Sequence, residues 1–281
     1  MSQSQQALRT RIRSVNSTKK ITKAMEMIAN AKLFRERTRM EANRSYAEKL
    51  HYIAQRAMQE GKDADIPYLK KNTSEAVFTI LFASDMGLCG SYNQNVLRYA
   101  EENLNKEDPI VLVGTSLYRQ LKEDGFHPLH EEVISSDKLT FAMLKEYVSQ
   151  GIDMFLENKV GRVQVIYTKF INTMTFVPAT DVLLPCATSE TEQEKSTVET
   201  LFEPSPEEIL LELIPMMVQD SAYAHWLEST TAEQGSRRMA MKTATDNATD
   251  LADDLQLEYN KARQASITQE ITEIVGGSEA L

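Results

Sequence analysis

The sequence predicts an α/β protein: an antiparallel coiled coil of two long terminal helices around a Rossmann-like α/β domain without a nucleotide-binding motif. Three observations point to it. From Ala222 to Val275 there is one glycine, Gly235, and no proline, enough uninterrupted chain for a helix of roughly 80 Å. No glycine or proline occurs before Gly61, so the start of the chain predicts a second helix of similar length. Between them, short apolar runs alternate with helical patterns, the signature of strands covered by helices. The expected division is 1–60 for the first helix, 75–187 for the α/β domain and 205–281 for the last helix.

The first helix carries the charge asymmetry of the chain. Residues 1–40 hold ten Lys/Arg against Glu26 and Glu36, while the whole chain has a net charge of −10. Its apolar residues do not keep to one side. Leu8, Ile12 and Val15 share a face, whereas Ile21, Met25 and Ile28 lie well over a third of a turn away. Such a helix is supercoiled or touched from more than one direction. A basic helix also suits nucleic acid or an anionic membrane, but the acidic balance of the rest argues against general nucleic-acid binding. An Arg-rich, acid-poor start fits an organelle transit peptide too. Against that, the helical pattern and the charge run on past any plausible cleavage site.

Gly61 to Ser74, with Pro67, reads as a linker. Ala76 to Ala83 is a buried strand, followed by the turn Asp85–Ser91 and a helix near Gln94–Asn103. Pro109–Val113 is a strand and Ser116–Glu123 a helix. Leu139–Glu157 is a helix, and Arg162–Lys169 and Thr175–Leu184 are strands. Thr188–Ser196 is polar and acidic, a loose connection. Ser205, Pro206 and Glu208 then form a capping box with proline at the first helical position. Pro215 is expected to kink or break the last helix near Ile214, and Gly276-Gly277 to stop it. Ala244, Ala248, Leu251, Leu255, Tyr259 and Ala262 line one narrow stripe. The opposite side carries Asp246, Asp250, Asp253, Asp254 and Glu258. The acidic last helix and the basic first helix are complementary in sign, which favours their pairing.

Catalytic chemistry is sparse. Gly87-Leu88-Cys89-Gly90 follows a strand and precedes a helix, the place where a doubly wound domain cradles phosphate. There is no GxGxxG and no GxxxxGK[ST], and a tight turn that seats a helix on the sheet accounts for the same residues. Cys89 has no recognisable histidine partner and reads as a turn filler. Cys89 and Cys186, the only cysteines, have no CxxC spacing, and the four histidines have no metal-ligand spacing. No apolar run approaches a membrane span, and no cofactor is expected. Two further classes stay open on this reading: a coiled-coil scaffold with a Rossmann-like head, and a small-molecule enzyme using the Gly87–Gly90 turn.

Three stretches together resemble one family. The first is Ile12–Val15 through Lys19-Lys20-Ile21-Thr22-Lys23-Ala24-Met25-Glu26-Met27. The second is Ser84-Asp85-Met86-Gly87-Leu88-Cys89-Gly90, joined by Lys169–Met174. The third is Ala240-Met241-Lys242 through Asn247, then Tyr259–Glu270. In order and along the whole length, the chain resembles the gamma subunit of the F-type ATP synthase.

That resemblance implies a mechanical task without catalysis of its own. The terminal helices would form the central stalk, turning inside a ring of alpha and beta subunits that make ATP. The α/β domain would meet the epsilon subunit and the membrane rotor ring of c subunits. One copy per complex is implied, with no nucleic acid, at the cytoplasmic face of a bacterial membrane. Arg263 and Gln264 match a pair that hydrogen-bonds a catalytic-subunit loop, and Arg237 matches an arginine implicated in coupling. Lys19, Lys20 and Lys23 match a basic face that meets acidic loops. Met25, Thr268 and Glu270 lie in the same motifs and are expected partner contacts. The chain departs from the family at Arg237-Arg238-Met239, just after Gly235, and lacks the cysteine insertion of the chloroplast type.

Overall fold

A computed structural model describes residues 5–60, 65–172, 174–186 and 202–279. Among these described residues five α-helices and four strands follow one another as α1 (Gln5–Glu60), β1 (Val77–Phe82), α2 (Tyr92–Asn103), β2 (Ile110–Val113), α3 (Tyr118–Glu123), α4 (Phe141–Leu156), β3 (Arg162–Asn172), β4 (Thr175–Leu184) and α5 (Pro206–Glu279). The chain divides into two compact units, Met1–Asn30 with Arg237–Leu281, and Ala31–Ser236. Both boundaries fall inside the long helices. Thr188–Ser196 lies outside the described residues.

In the larger unit the strands form one sheet in the order β2-β1-β3-β4. β1 runs parallel to β2 and to β3, and β4 closes an antiparallel hairpin on β3. The central β1 and its neighbour β2 are almost wholly apolar and buried on both sides, because both sides are covered. Phe78, Ile80 and Phe82 alternate with Leu81 and Ala83 along β1, as the two-residue period of a strand requires. The first set packs in one core with Leu144 and Val148 of α4, Leu50 and Ala54 of α1, and Leu210 and Ile214 of α5. The second packs with Val96 and Leu97 of α2 and Leu121 of α3.

Local signals set the helix starts. Ser205 Oγ accepts from the Glu208 N–H at 3.2 Å, and Thr140 Oγ1 accepts from Met143 N–H at 3.3 Å, starting α5 and α4. Asn172 Oδ1 accepts from the N–H groups of Met174 and Thr175, both at 2.9 Å, and so turns β3 into β4. The segment read as a linker is partly docked: Ile66 and Tyr68, around the short 3-10 turn Pro67–Leu69, are buried.

The last helix is not broken at either of the two expected places. α5 continues through Pro215. The buried neighbours Leu210, Ile214, Met217 and Val218 hold the turn in the core, so packing outweighs the lost backbone hydrogen bond. The helix also passes Gly276, for glycine permits a left-handed stop without forcing one.

In the smaller unit the beginning of α1 and the end of α5 run side by side. Gln5 Nε2 donates to the Ala262 carbonyl at 3.3 Å, and the hydroxyls of Thr22 and Thr245 lie 2.9 Å apart. Seventeen residues forward along α1 thus match seventeen back along α5: the pair is antiparallel and stays in register. The inward positions of α5 are Met241, Thr245, Ala248, Ala252, Leu255, Tyr259 and Ala262, spaced alternately by four and three as in a coiled-coil seam. Leu255 lies on that seam, buried. Leu251 does not: Ala252 takes its place and Leu251 is exposed. The narrow Ala-rich seam is as expected, but rotated there by one residue.

Candidate interaction surface

All nine residues singled out in the sequence fall in the smaller unit, eight of them in two groups. Lys19, Lys20, Lys23 and Met25 lie on α1 at the level of α5 residues 242–248, by the register above. Arg263, Gln264, Thr268 and Glu270 lie on α5 beyond the level of Gln5. Arg237, half-buried and engaged within the protein, belongs to neither group.

The inward face of α1 explains the first group. Leu8, Ile12, Val15, Lys19, Thr22, Glu26 and Ala29 are the less exposed residues, again at steps of four and three. Lys19 is therefore half-buried on the seam, its carbonyl accepting from Thr22 Oγ1 at 3.1 Å. Lys20 is exposed. Lys23 is exposed as well, but pairs with Glu26 at 3.0 Å. Met25 is half-buried beside the seam. Apolar residues point the other way: Ile21, Met27 and Ile28 are each about three-fifths exposed. This half of α1 thus shows a partner both charge and bare apolar surface.

The tip of α5 is bare. From Arg263 to Gly276 every residue except the half-buried Ser266 is exposed. The guanidinium fork of Arg263 and the amide of Gln264 are open to a partner. The Gln264 carbonyl accepts from Thr268 Oγ1 at 2.9 Å, and Glu270 accepts from Ser266 Oγ at 3.3 Å. Ile267, Ile271, Ile274 and Val275 are exposed among these polar residues. A soluble monomer rarely shows so much apolar surface in one stretch, so a covering surface is implied.

The Gly87–Gly90 turn in the larger unit offers no comparable opening to a ligand. Leu88 and Gly90 take left-handed conformations, φ 59° and 62°, and of Met86–Gly90 Cys89 alone is buried. Cys89 is buried there, and its carbonyl accepts from Ser236 Oγ of α5 at 2.7 Å. The Asp85 carboxylate, at the head of the turn, is engaged by backbone N–H groups of two other loops. It accepts from the N–H groups of Thr115 at 3.1 Å, Ser136 at 2.9 Å and Asp137 at 2.8 Å, and from Ser135 Oγ at 2.8 Å. Burial pulls its pKa up, but these hydrogen bonds outweigh that and hold it below the ordinary carboxylate value. The turn is a helix seat closed by an internal anion. At the other end of the sheet, burial pushes the Cys186 thiol up to about 12, well away from a reactive thiolate.

One requirement of the departure near Arg237 was hidden in the sequence. Gly235 is buried in mid-helix, and a Cβ there would lie 2.8 Å from Cζ of Phe176 on β4. The glycine makes room for that ring. A contact between residues 59 positions apart leaves no local sequence signal beyond the glycine itself.

Comparison with known proteins gives one consistent result. The family profile described as ATP synthase matches residues 4–281. The ATP synthase gamma chain of Symbiobacterium thermophilum is 38% identical over 286 residues, covering 100% of this chain and 99% of that one. The sodium-ion-specific ATP synthase gamma chain of Acetobacterium woodii is 36% identical over 302 residues, covering both chains fully, at 100% each. Among solved structures, the central stalk and c-ring of the Tetrahymena thermophila mitochondrial ATP synthase aligns with TM-score 0.60 and 24% identity, over 80% of this chain and 99% of that one.

Proposed function

This chain belongs to the ATP synthase gamma family, and from that premise we propose how its two long helices work within the complex. Its role is that of the central rotor shaft of an F-type ATP synthase. The alpha and beta subunits surround the paired termini, with the catalytic sites on those subunits rather than here. The epsilon subunit and the c-ring hold the α/β domain. The chain is peripheral, at the cytoplasmic face of a bacterial membrane; no helix among the described residues is long and apolar enough to cross one.

The observation that carries this reading is the unlike character of the faces of the helix pair. One side of α1 shows Lys20 and Lys23, a neighbouring side shows Ile21 and Ile28, and α5 shows the exposed acids Asp246, Asp250, Asp253 and Asp254. A ring of chemically identical catalytic subunits around such a shaft meets a different surface at each position. Each shaft angle therefore favours one set of site conformations, and turning the shaft exchanges them. Lys19, Lys20 and Lys23 meet acidic loops of the catalytic subunits, with Met25 beside them. Arg263 and Gln264 grip a catalytic-subunit loop at the tip, where Thr268 and Glu270 are also in reach, and Arg237 carries coupling nearer the other end. The exposed Ile267, Ile271 and Ile274 turn against an apolar sleeve, where the absence of directional bonds favours smooth rotation.

Purification from membranes tests this directly. The chain is expected to co-purify with several partners at fixed stoichiometry, one copy per complex. A chain recovered alone, with ATP-hydrolysing activity of its own, would contradict it.

A further inference from the structure

One face of α5 carries a run of side-chain ties to the sheet, all within the larger unit. His225 Nε2 lies 2.8 Å from Asp181 Oδ2 on β4. Glu228 Oε1 accepts from the Phe170 N–H of β3 at 3.0 Å. Ser229 Oγ accepts from the Thr168 N–H at 3.2 Å and lies 3.0 Å from the Tyr92 hydroxyl at the start of α2. Ala232 is fully buried in the core on that side. Ser236 Oγ donates to the Cys89 carbonyl. These positions recur at steps of three and four, so they share one face.

Gly235 completes the face. Glycine is a poor residue for a helix interior, yet here it is buried with the Phe176 ring in the space a side chain would fill: Cζ and Cε1 lie 2.8 and 2.9 Å from an added Cβ. Phe176 is itself braced by Phe170, ring centroids 5.8 Å apart. A ring seated in a notch opposes rotation of the helix about its axis in a way that a smooth apolar contact does not. Fixings at one height let a rod rock about them; these extend over roughly 16 Å of helix and hold its tilt as well as its rotation.

We infer that this face of α5, with Phe176 seated at Gly235, is a torque key: it fixes the rotational phase of α5 in the α/β domain, so that torque applied to that domain enters the helix without slip. The inference deepens the rotor reading and rests on it. His225, Glu228, Ser229 and Gly235 are then positioning residues, acting on coupling without touching a nucleotide.

The test uses the whole complex in sealed vesicles, with ATP hydrolysis and ATP-driven ion uptake measured on the same preparation, following both protons and sodium. Gly235→Ala adds one methyl group at the crowded point and forces the ring out. Hydrolysis is expected to stay within about twofold of wild type while ions taken up per ATP fall at least about threefold. Phe176→Leu added to Gly235→Ala makes room again and is expected to restore the ratio. Ser229→Ala adds no bulk, removes the tie to the Thr168 N–H and the hydroxyl contact with Tyr92, leaves the Tyr92 bond to the residue 229 carbonyl, and is expected to lower the same ratio by about half. A purely structural role predicts a different result, hydrolysis and uptake falling in step with an unchanged ratio. That outcome, or a wild-type ratio in both Gly235→Ala and Ser229→Ala, overturns the inference. A wild-type complex that lacks this chain, or hydrolyses ATP without moving ions, overturns the rotor reading itself and the torque key with it.

Discussion

The hydroxyls of Thr22 and Thr245 stand 2.9 Å apart across the helix pair, and Thr22 donates in turn to the carbonyl of Lys19. This polar step in an otherwise small-residue seam fixes the register of two helices whose own periodicity would allow a slip. Each hydroxyl also meets a carbonyl of its own helix, Thr22 that of Lys19 and Thr245 that of Met241 at 2.8 Å, so a shift by one turn would forfeit the bond between them alone, at a cost of about 0.5–1.5 kcal/mol. The register puts Leu255 level with Ile12 and sends the tip of α5 past Gln5.

The seam predicts a sharp difference between two leucines four residues apart. Leu255 is 4% exposed and Leu251 42% exposed. Leu255→Ala is expected to cost about 2–3 kcal/mol, the low end of the range for a buried leucine, because a two-helix seam collapses more easily than a core. Leu251→Ala should stay within about 0.5 kcal/mol. Urea unfolding of the full chain measures both, and equal losses would place the seam elsewhere on α5.

Asp85 predicts a pH-dependent loss. Its folded-state pKa is lowered, because the four hydrogen bonds it accepts outweigh the effect of burial. A depressed carboxylate contributes stability that is present above the unfolded value, about 3.9, and is lost as pH falls through the folded value. Asp85→Asn turns its NH2 group towards one pair of these donors, either the N–H groups of Thr115 and Ser136 or the N–H of Asp137 with the Ser135 hydroxyl. It is expected to cost about 1–3 kcal/mol at neutral pH. The gap between variant and wild type should narrow below about pH 4. Urea midpoints at neutral and acid pH check this, and a gap independent of pH would show that the carboxylate charge is not what holds the turn.

Much of this architecture is legible in the sequence, for reasons that single residues make plain. The strands announce themselves because Val77–Phe82 is buried on both faces, so no polar alternation hides it. The start of α5 is readable because Ser205 and Glu208 lie next to each other along the chain. The inward face of α1 is not readable. It contains Lys19, Glu26 and Glu36, the last 6% exposed and paired with Arg39 at 2.8 Å, while Phe34 points outward. A sequence records the sum of a helix's contacts, with its own chain and with others, and cannot say which apolar residue serves which. The same ambiguity rotated the expected seam from Ala252 to Leu251. Asp85's role as an internal anion and Gly235's fit to Phe176 depend on residues brought together only by the fold.

The tip predicts a mechanical defect without loss of assembly. Arg263 and Gln264 are exposed, so removing them leaves no buried group unsatisfied. Hydrogen bonds to a charged group contribute roughly 1.5–3 kcal/mol each. Arg263→Ala with Gln264→Ala is expected to leave the complex assembled and cut ATP turnover at least about tenfold, since 1.4 kcal/mol corresponds to a factor of ten. Glu101→Ala with Glu102→Ala, exposed on α2, is the control and should change little. Wild-type hydrolysis and synthesis in the tip variant would remove these residues from the coupling path.

Rotation tests the central claim most directly. Both native cysteines, Cys89 and Cys186, are buried, so a cysteine introduced at the exposed Glu107 gives a single accessible site on the α/β domain for an optical probe. With the catalytic ring fixed to a surface, ATP is expected to drive continuous rotation of that probe in one direction, slowed by the Arg263→Ala/Gln264→Ala change in proportion to its turnover. A probe that stays still while the same complexes hydrolyse ATP at the wild-type rate would contradict the account.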